Sequence, residues 1–183
     1  MKFIWVVRAL CYKPFFKRVG FLTYIGKPIF LRKTKQISIG SKVRIFPGMR
    51  MEAHQNGSLI IEDNVSIGQN LHITCGSKLV IRTGCIMSGN VMITDMDHEY
   101  AKIDAPVFDQ GMILKETDIG ENCFLGYGVI VQAGTKLGKQ CVVGANSVVR
   151  GEFPDYCVIV GSPARVVKMY NHETEYWEKV TND

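Results

Sequence analysis

A six-residue period runs through most of the chain and restricts its fold more than any other feature. Between residues 107 and 149 every sixth residue is aliphatic, and each residue two positions earlier is small or β-branched. The aliphatic series is Val107, Ile113, Ile119, Leu125, Val131, Leu137, Val143 and Val149, and an earlier apolar series with the same period is Ile61, Ile67, Ile73, Leu79, Cys85 and Val91. A period of six fits short parallel strands joined by tight corners, with three strands in each coil of a solenoid.

Both repeated positions are predicted to point into the solenoid. Each inward aliphatic side chain contributes about 1.5–3 kcal/mol when it is fully buried. The small position lies near a corner where space is limited, so Cys123 and Cys141 are predicted to fill core slots rather than to act as nucleophiles. The six cysteines of the chain contain no C-x-x-C spacing, which favours reduced thiols. An out-of-phase start through Ile39, Ile45 and Met51 predicts an insertion near residues 48–58.

Charge divides the chain into two unequal parts. The chain has 183 residues, which suits one domain. Residues 1–51 hold 12 Lys and Arg with no acidic residue, whereas residues 52–183 hold 10 basic and 17 acidic residues. The apolar run FIWVV is cut by Arg8 and is too short for a transmembrane helix or a signal peptide, so we expect a cytoplasmic protein. The basic, aromatic start suits the surface of an anionic membrane or a neighbouring subunit. No recognition motif points to nucleic acid.

Three stretches resemble the hexapeptide-repeat acyltransferases, and most closely their maltose/galactoside-type and polysaccharide O-acetyltransferases. They are NVMITDMDHEY at 90–100, IGENCFLGYGVIVQAGTKLG at 119–138 and FPDYCVIVGSPARVVK at 153–168. The resemblance implies an all-β fold, a left-handed parallel β-helix, with the handedness taken from the family and not from the period. It predicts a basic N-terminal arm over 1–34, the β-helix over 35–150, and a closing turn and short C-terminal helix over 151–183. It also implies a homotrimer.

The repeat is interrupted by a cluster of charged residues. The phase is lost after Val91, which predicts a loop near 94–104, and His98 is the group in it that is best suited to proton transfer near neutral pH. Deprotonating a sugar hydroxyl requires such a base. Asp95 or Asp97 would orient the imidazole and stabilise its charged form, and the sequence does not decide between them.

The remaining site residues are implied by the resemblance alone. In the family a histidine eight residues after the Asn of an Asn-Val pair is the base, which matches Asn90 and His98 and makes Asn90 a substrate-binding residue. The residues implied to bind acetyl-CoA are Gly126, Tyr127, Gly144, Ala145, Arg150, Arg165 and Lys168. Phe124 stands where the family usually has Trp, which removes an indole donor. The histidine of one subunit is expected to act beside the coenzyme site of another.

These features predict transfer of an acetyl group from acetyl-CoA to a sugar hydroxyl, in the synthesis of cell-surface polysaccharide or lipopolysaccharide. Three alternatives remain open. The first is an N-acetyltransferase of an amino sugar nucleotide, which would use the same base. The second is a zinc carbonic anhydrase-like β-helix with His54, His72 and His98 as ligands, although no metal is expected because the insertion near 48–58 spoils the required register. The third is a solenoid without catalytic activity.

Overall fold

The computed structural model describes residues 2–180, which form a left-handed parallel β-helix. The chain begins with α1 (Lys2–Tyr12), and the first coil contains β1 (Arg18–Val19), β2 (Tyr24–Ile25) and β3 (Phe30–Arg32). After the 3-10 helix η1 (Thr34–Gln36), the second coil contains β4 (Ile37–Ile39), β5 (Arg44–Ile45) and β6 (Arg50–Ala53). The third coil contains β7 (Ser58–Ile61), β8 (Ser66–Ile67) and β9 (His72–Cys75), and the fourth contains β10 (Lys78–Ile81), β11 (Ile86–Met87) and β12 (Met92–Thr94).

The second half of the chain continues the coils after one departure. Strands β13 (Met96–His98) and β14 (Met112–Leu114), with the 3-10 helix η2 (Val107–Asp109) between them, lie outside the stack. The fifth and sixth coils contain β15 (Thr117–Ile119), β16 (Phe124–Leu125), β17 (Ile130–Val131), β18 (Lys136–Leu137), β19 (Val142–Val143) and β20 (Val148–Val149). The chain closes with β21 (Glu152–Phe153), β22 (Cys157–Gly161), β23 (Ala164–Asn171) and β24 (Tyr176–Lys179).

Three sheets form the sides of the solenoid. The first sheet is β1-β4-β7-β10-β15-β18-β21, the second begins β2-β5-β8-β11-β16-β19-β22, and the third is β3-β6-β9-β12-β17-β20. Neighbouring strands in these runs are parallel and come from successive coils, so each coil supplies the backbone hydrogen-bond partners of the next. The predicted solenoid is therefore confirmed.

The core consists of ladders of aliphatic side chains that repeat from coil to coil. The ladders are Ile61, Ile81, Ile119 and Leu137 in the first sheet, Ile67, Met87, Leu125, Val143 and Ile159 in the second, and Met51, Ile73, Ile93, Val131 and Val149 in the third, and all of these residues are buried. The predicted core slots of Cys123 and Cys141 are confirmed, since both are buried and neither forms a disulfide.

The predicted phase of the repeat is wrong in two places. Leu79 pairs with Leu59 and Ile81 pairs with Ile61, so the series through Leu79 follows the other inward position. Alternate strand residues share a face, so both positions are buried and composition alone cannot separate them. Val107 does not belong to the core, because it lies in η2 and is 47% exposed.

Both ends of the chain differ from the sequence-based expectation. Parallel pairing already begins at Arg18, which lies opposite Ser38, so the first coil is built from residues assigned to the arm. Helix α1 covers the open end of that coil, with the Trp5 ring 5.4 Å from the ring of Phe46. None of the helices among residues 2–180 has the length and apolarity that crossing a bilayer requires.

The predicted C-terminal helix is wrong as far as residue 180, and residues 181–183 of that prediction lie outside the described residues. Strand β23 turns back antiparallel on β22, and β24 pairs antiparallel with β23. The side chain of Asn171 accepts the backbone N–H of Glu173 at 2.8 Å, which stabilises the turn between the strands. Trp177 packs on Tyr170 with ring centroids 5.5 Å apart, and such aromatic residues favour strands.

Candidate active site

A long departure from the coils follows β12. Residues 95–116, called the excursion, leave the third sheet and return to the first sheet at β15. Strands β13 and β14 pair antiparallel within it, with His98 opposite Met112. The backbone N–H of Lys115 donates to the carbonyl of Asp95 at 2.8 Å, so the two ends of the excursion are held together. The excursion is longer than the predicted loop near 94–104.

Asp95 fixes the base of this hairpin to the solenoid. Its side chain is fully buried, and its carboxylate accepts the backbone N–H groups of Gly76 at 2.6 Å and Ser77 at 2.9 Å. The Cys75 thiol lies 3.4 Å from the same carboxylate. Burial and the charge of Asp95 raise the pKa of the Cys75 thiol, so it stays protonated and donates. Asp95 therefore holds the excursion at the corner after β9.

His98 lies at the exposed end of β13. Its backbone N–H donates to Oδ1 of Asp97 at 2.9 Å. None of the ion pairs found within residues 2–180 includes the His98 ring, so neither Asp95 nor Asp97 is paired with the imidazole in the single subunit. His98 is exposed, so its ring is accessible from solvent.

His98 lines an open groove of about 610 Å³ between the hairpin and the outer face of the third sheet. The lining residues are Arg50, Glu52, His54, His72, Thr74, Met92, Thr94, Met96, Asp97, His98, Met112, Ile130, Gln132 and Ala133. The side next to His98 is rich in apolar side chains, including Met92, Met112 and Ile130. The residues from β6, β9 and the corner after β6 make the other end polar. The groove therefore combines an accessible imidazole with both apolar and polar surfaces.

Four side chains at the polar end line the groove together and are called the Arg–Glu–His cluster. It consists of Arg50, Glu52, His54 and His72. Glu52 is only 5% exposed, and its carboxylate is hydrogen-bonded to Nε of Arg50 and lies 3.5 Å from Nε2 of His54. The Arg50 guanidinium also lies over the Phe30 ring, 5.1 Å from its centroid. The cluster is thus held in one arrangement.

The ionisation of the cluster follows from these contacts. Burial by itself would raise the pKa of Glu52, but the hydrogen bond and charge of Arg50 outweigh it, so the pKa is lowered and the carboxylate stays charged. Burial and then the charge of Arg50 lower the pKa of His72, so this imidazole is neutral near pH 7. No sequence pattern singles out Arg50 and Glu52, and His54 and His72 are predicted from the sequence only as metal ligands.

The implied acceptor and thioester residues lie at another corner, between the second and third sheets. Nδ2 of Asn90 donates to the Tyr127 hydroxyl, and Nδ2 of Asn70 donates to Oδ1 of Asn90 at 3.0 Å. Asn90 precedes β12, and neither Asn90 nor Tyr127 lines the groove that contains His98. The structure does not bring Asn90 and His98 of one subunit together.

Two glycines allow close packing at the same corner. A Cβ atom at Gly126 would lie 2.7 Å from the backbone nitrogen of Ala145, so any side chain there would distort the corner. A Cβ atom at Gly144 would lie 2.8 Å from Cγ1 of Val160, which is part of a side chain and not of the backbone. The N–H of Gly126 already donates to the carbonyl of Val143 at 2.8 Å, which leaves the N–H of Tyr127 as the better candidate for an oxyanion donor.

The three implied coenzyme cations lie on different parts of the solenoid. Arg165 and Lys168 are exposed on β23, where Arg165 pairs with Val160, the residue beside Gly144. Arg150 is exposed at the corner that follows β20, between the third and first sheets. Arg165 and Lys168 thus lie on the side of Gly144, and Arg150 does not join them within one subunit.

The groove does not offer a ligand set for a metal ion. Within the part of the chain that the structure describes, no group of three or more His, Cys, Asp or Glu side chains is arranged to hold one. His54 lies opposite no histidine, since Arg50 pairs with His72 in the third sheet. The zinc alternative therefore gains no support from the described residues.

Comparison with protein families and known proteins gives a consistent result. Residues 117–150 match the family model described as the hexapeptide repeat of succinyl-transferase. The putative lipopolysaccharide biosynthesis O-acetyl transferase WbbJ of Escherichia coli K12 is 34% identical over 185 residues, covering 97% of this chain and 93% of that protein. The galactoside O-acetyltransferase of the same organism is 26% identical, covering 90% of this chain and 70% of that protein.

Solved structures share the fold at lower identity. AntD, an N-acyltransferase from Bacillus cereus solved in complex with dTDP and 3-hydroxybutyryl-CoA, superimposes with a TM-score of 0.77 at 19% identity, covering 91% of this chain and 90% of that one. A galactoside acetyltransferase in complex with coenzyme A gives a TM-score of 0.54 at 22% identity, covering 96% of this chain and 78% of that one.

Proposed function

We propose that this chain, which belongs to the hexapeptide-repeat acetyltransferases, transfers an acetyl group from acetyl-CoA to a hydroxyl of a saccharide. His98 is the proposed general base. The observation that carries this proposal is the exposed His98 on a hairpin that Asp95 anchors to the rigid solenoid. A base on such a support keeps its position without closing the groove to an acceptor.

The proposed chemistry needs little from the protein beyond position and proton transfer. Acetyl-CoA supplies the acetyl group as a thioester. A ring nitrogen of His98 takes the proton of the attacking hydroxyl and later gives it to the leaving sulfur, which balances the reaction. The N–H of Tyr127 is the proposed donor to the developing oxyanion, and Asp97 is the proposed partner of the imidazolium that forms.

The proposed coenzyme site lies along the corner that contains Gly144 and Ala145. Exposed Arg165 and Lys168 on the neighbouring β23 suit the phosphates at the nucleotide end, because cations bind phosphate through charge-assisted hydrogen bonds. Gly144 and Ala145 do not line the groove that contains His98. That separation supports a homotrimer in which His98 of one subunit acts at the coenzyme corner of the next, and in which Arg150 approaches from the neighbouring copy.

The acceptor is proposed to be a sugar unit of a cell-surface polysaccharide or lipopolysaccharide, which the relationship to WbbJ supports. The test is acetyl transfer with purified protein and a panel of methyl glycosides, the matching disaccharides, nucleotide sugars and amino sugar nucleotides. We expect thiol release coupled to an alkali-labile ester on a neutral sugar. An alkali-stable amide on an amino sugar nucleotide would favour N-acetylation instead, and release of thiol without any acetylated product would contradict both.

Helix α1 supports a site of action at the inner face of the cytoplasmic membrane. Its inner face packs on the solenoid through Trp5 and Ala9, yet its outer face is also apolar and exposed, at Phe3, Ile4, Val7 and Leu10. An apolar face of a helix is normally buried against another surface. An anionic lipid surface matches it, because residues 1–51 carry 12 basic and no acidic residues.

Replacing Phe3 and Leu10 with Glu should lower partition into vesicles of phosphatidylglycerol and phosphatidylethanolamine by at least about tenfold, since two inserted apolar side chains are lost and two negative charges are added that an anionic surface repels. Vesicle co-sedimentation measures this. Ile86→Glu, at a side chain 50% exposed in β11, is the matched control and should leave partition unchanged. Equal binding of all three proteins, or a change of oligomeric state with Phe3→Glu/Leu10→Glu, would instead assign this face to a neighbouring subunit.

A further inference from the structure

The Arg–Glu–His cluster is not used by the proposed mechanism, although it lines the same groove as His98. In the third sheet Arg50 pairs with His72, and His72 pairs with Met92. Met92 lies in β12, the strand from which the hairpin carrying His98 emerges. The cluster is therefore one to two strands from the His98 coil, or about 5–10 Å along the stack. This separation suits a sugar unit bonded to the one that reacts.

The fold alone does not explain the cluster. Glu52 is almost completely buried on the side of the solenoid, where its charge depends on the hydrogen bond and ion pair with Arg50 to offset the free-energy cost of burial. Apolar residues at these positions would stabilise the stacked coils at least as well. The buried Glu52 carboxylate holds the Arg50 guanidinium, whose side chain is 46% accessible, at the groove that both residues line.

The free hydrogen-bonding groups of the cluster suit hydroxyls. Arg50 donates only its Nε–H to Glu52 among the bonds found in residues 2–180, so its terminal N–H groups remain available. A neutral imidazole at His72 has one donor and one acceptor nitrogen. The charges of Arg50 and Glu52 cancel, so the cluster as a whole does not favour a phosphate or a carboxylate. Met92 and Ile130 offer an apolar surface for the C–H face of a sugar ring.

We propose that the Arg–Glu–His cluster binds a neutral sugar residue next to the one that is acetylated, so that the acceptor is an oligosaccharide rather than a single sugar. This inference rests on the proposed function, since it assumes that His98 marks the place where the hydroxyl reacts. Arg50 and His72 are then specificity-determining residues that contact the second sugar, and Glu52 positions Arg50.

The test compares kcat/KM for each methyl glycoside accepted in the panel with that for neutral disaccharides carrying the same sugar at the non-reducing or the reducing end. We expect kcat/KM for at least one disaccharide to exceed kcat/KM for the corresponding methyl glycoside by about tenfold or more. Arg50→Lys, which keeps the charge but loses the planar fork, and His72→Ala should each lower kcat/KM for that disaccharide about tenfold, mainly through KM. The rate with the methyl glycoside should change less than about twofold.

Arg44→Lys is the matched control, because Arg44 donates to Asn64 from β5 in the second sheet and does not line the groove. Equal rates for mono- and disaccharides in the wild-type protein would overturn the inference, as would variants that lower both rates equally. Dependence on Arg50 only with uronic acid or nucleotide acceptors would overturn the assignment to a neutral sugar. Failure of the proposed function looks different, since no acceptor in the panel would then be acetylated.

Discussion

Replacing His98 with Ala is expected to lower kcat for acetyl transfer about 10²–10⁴-fold, the contribution that a positioned general base typically makes. KM for acetyl-CoA should change little, because His98 is proposed to take the proton of the acceptor hydroxyl and not to bind the coenzyme. Initial rates of thiol release, coupled to detection of the acetylated sugar, measure both constants.

His172→Ala is the matched control for this experiment. The His172 ring packs edge-on against Tyr156 and Tyr170 at the C-terminal hairpin, with centroids 5.2 and 5.1 Å away, and it does not line the groove. We expect this variant to keep wild-type kcat. If His98→Ala retained wild-type activity, or if His172→Ala lost as much activity, His98 would not be the base.

Replacing Asp95 with Ala is expected to lower the free energy of unfolding by about 2–4 kcal/mol, because the buried backbone N–H groups of Gly76 and Ser77 would both lose a charged acceptor. Urea denaturation followed by circular dichroism measures the change. Asp95→Asn, which keeps one acceptor oxygen, should have a smaller effect.

Asp97→Ala serves as the matched control for stability, since Asp97 is exposed and accepts only the backbone N–H of His98 among the bonds found in residues 2–180. We expect it to stay within about 0.5 kcal/mol of the wild-type protein. A loss of stability from Asp97→Ala as large as that from Asp95→Ala would mean that the anchor of the hairpin has been assigned to the wrong carboxylate.

The repeat made the solenoid predictable, because every coil uses the same inward positions and each core ladder is visible in the sequence. Register was not predictable to the residue. Leu79 and Ile81 both point inward, and only the pairing of Leu79 with Leu59 shows which ladder each joins. The C-terminal hairpin was missed because charged residues at 173–178 also fit a helix, and the pairing of β23 with β22 decides between the two.

The candidate site was predictable only where its residues are close in sequence. His98 stands out because the repeat stops around it. Asp95 is close to His98 in sequence, but the contacts of Asp95 with Gly76 and Ser77 are made to the preceding coil. No local sequence pattern indicates these contacts. Arg50 and His72 are brought together by pairing of β6 with β9, and both look like ordinary outward residues of a strand.

A crystal structure of the protein with coenzyme A and an accepted disaccharide tests the central claim most directly. We expect an acceptor hydroxyl within about 2.6–3.2 Å of a ring nitrogen of His98, with the sulfur of the coenzyme on the other side of that hydroxyl. A complex in which the hydroxyl that becomes acetylated lies far from every His98 ring in the assembly would contradict it.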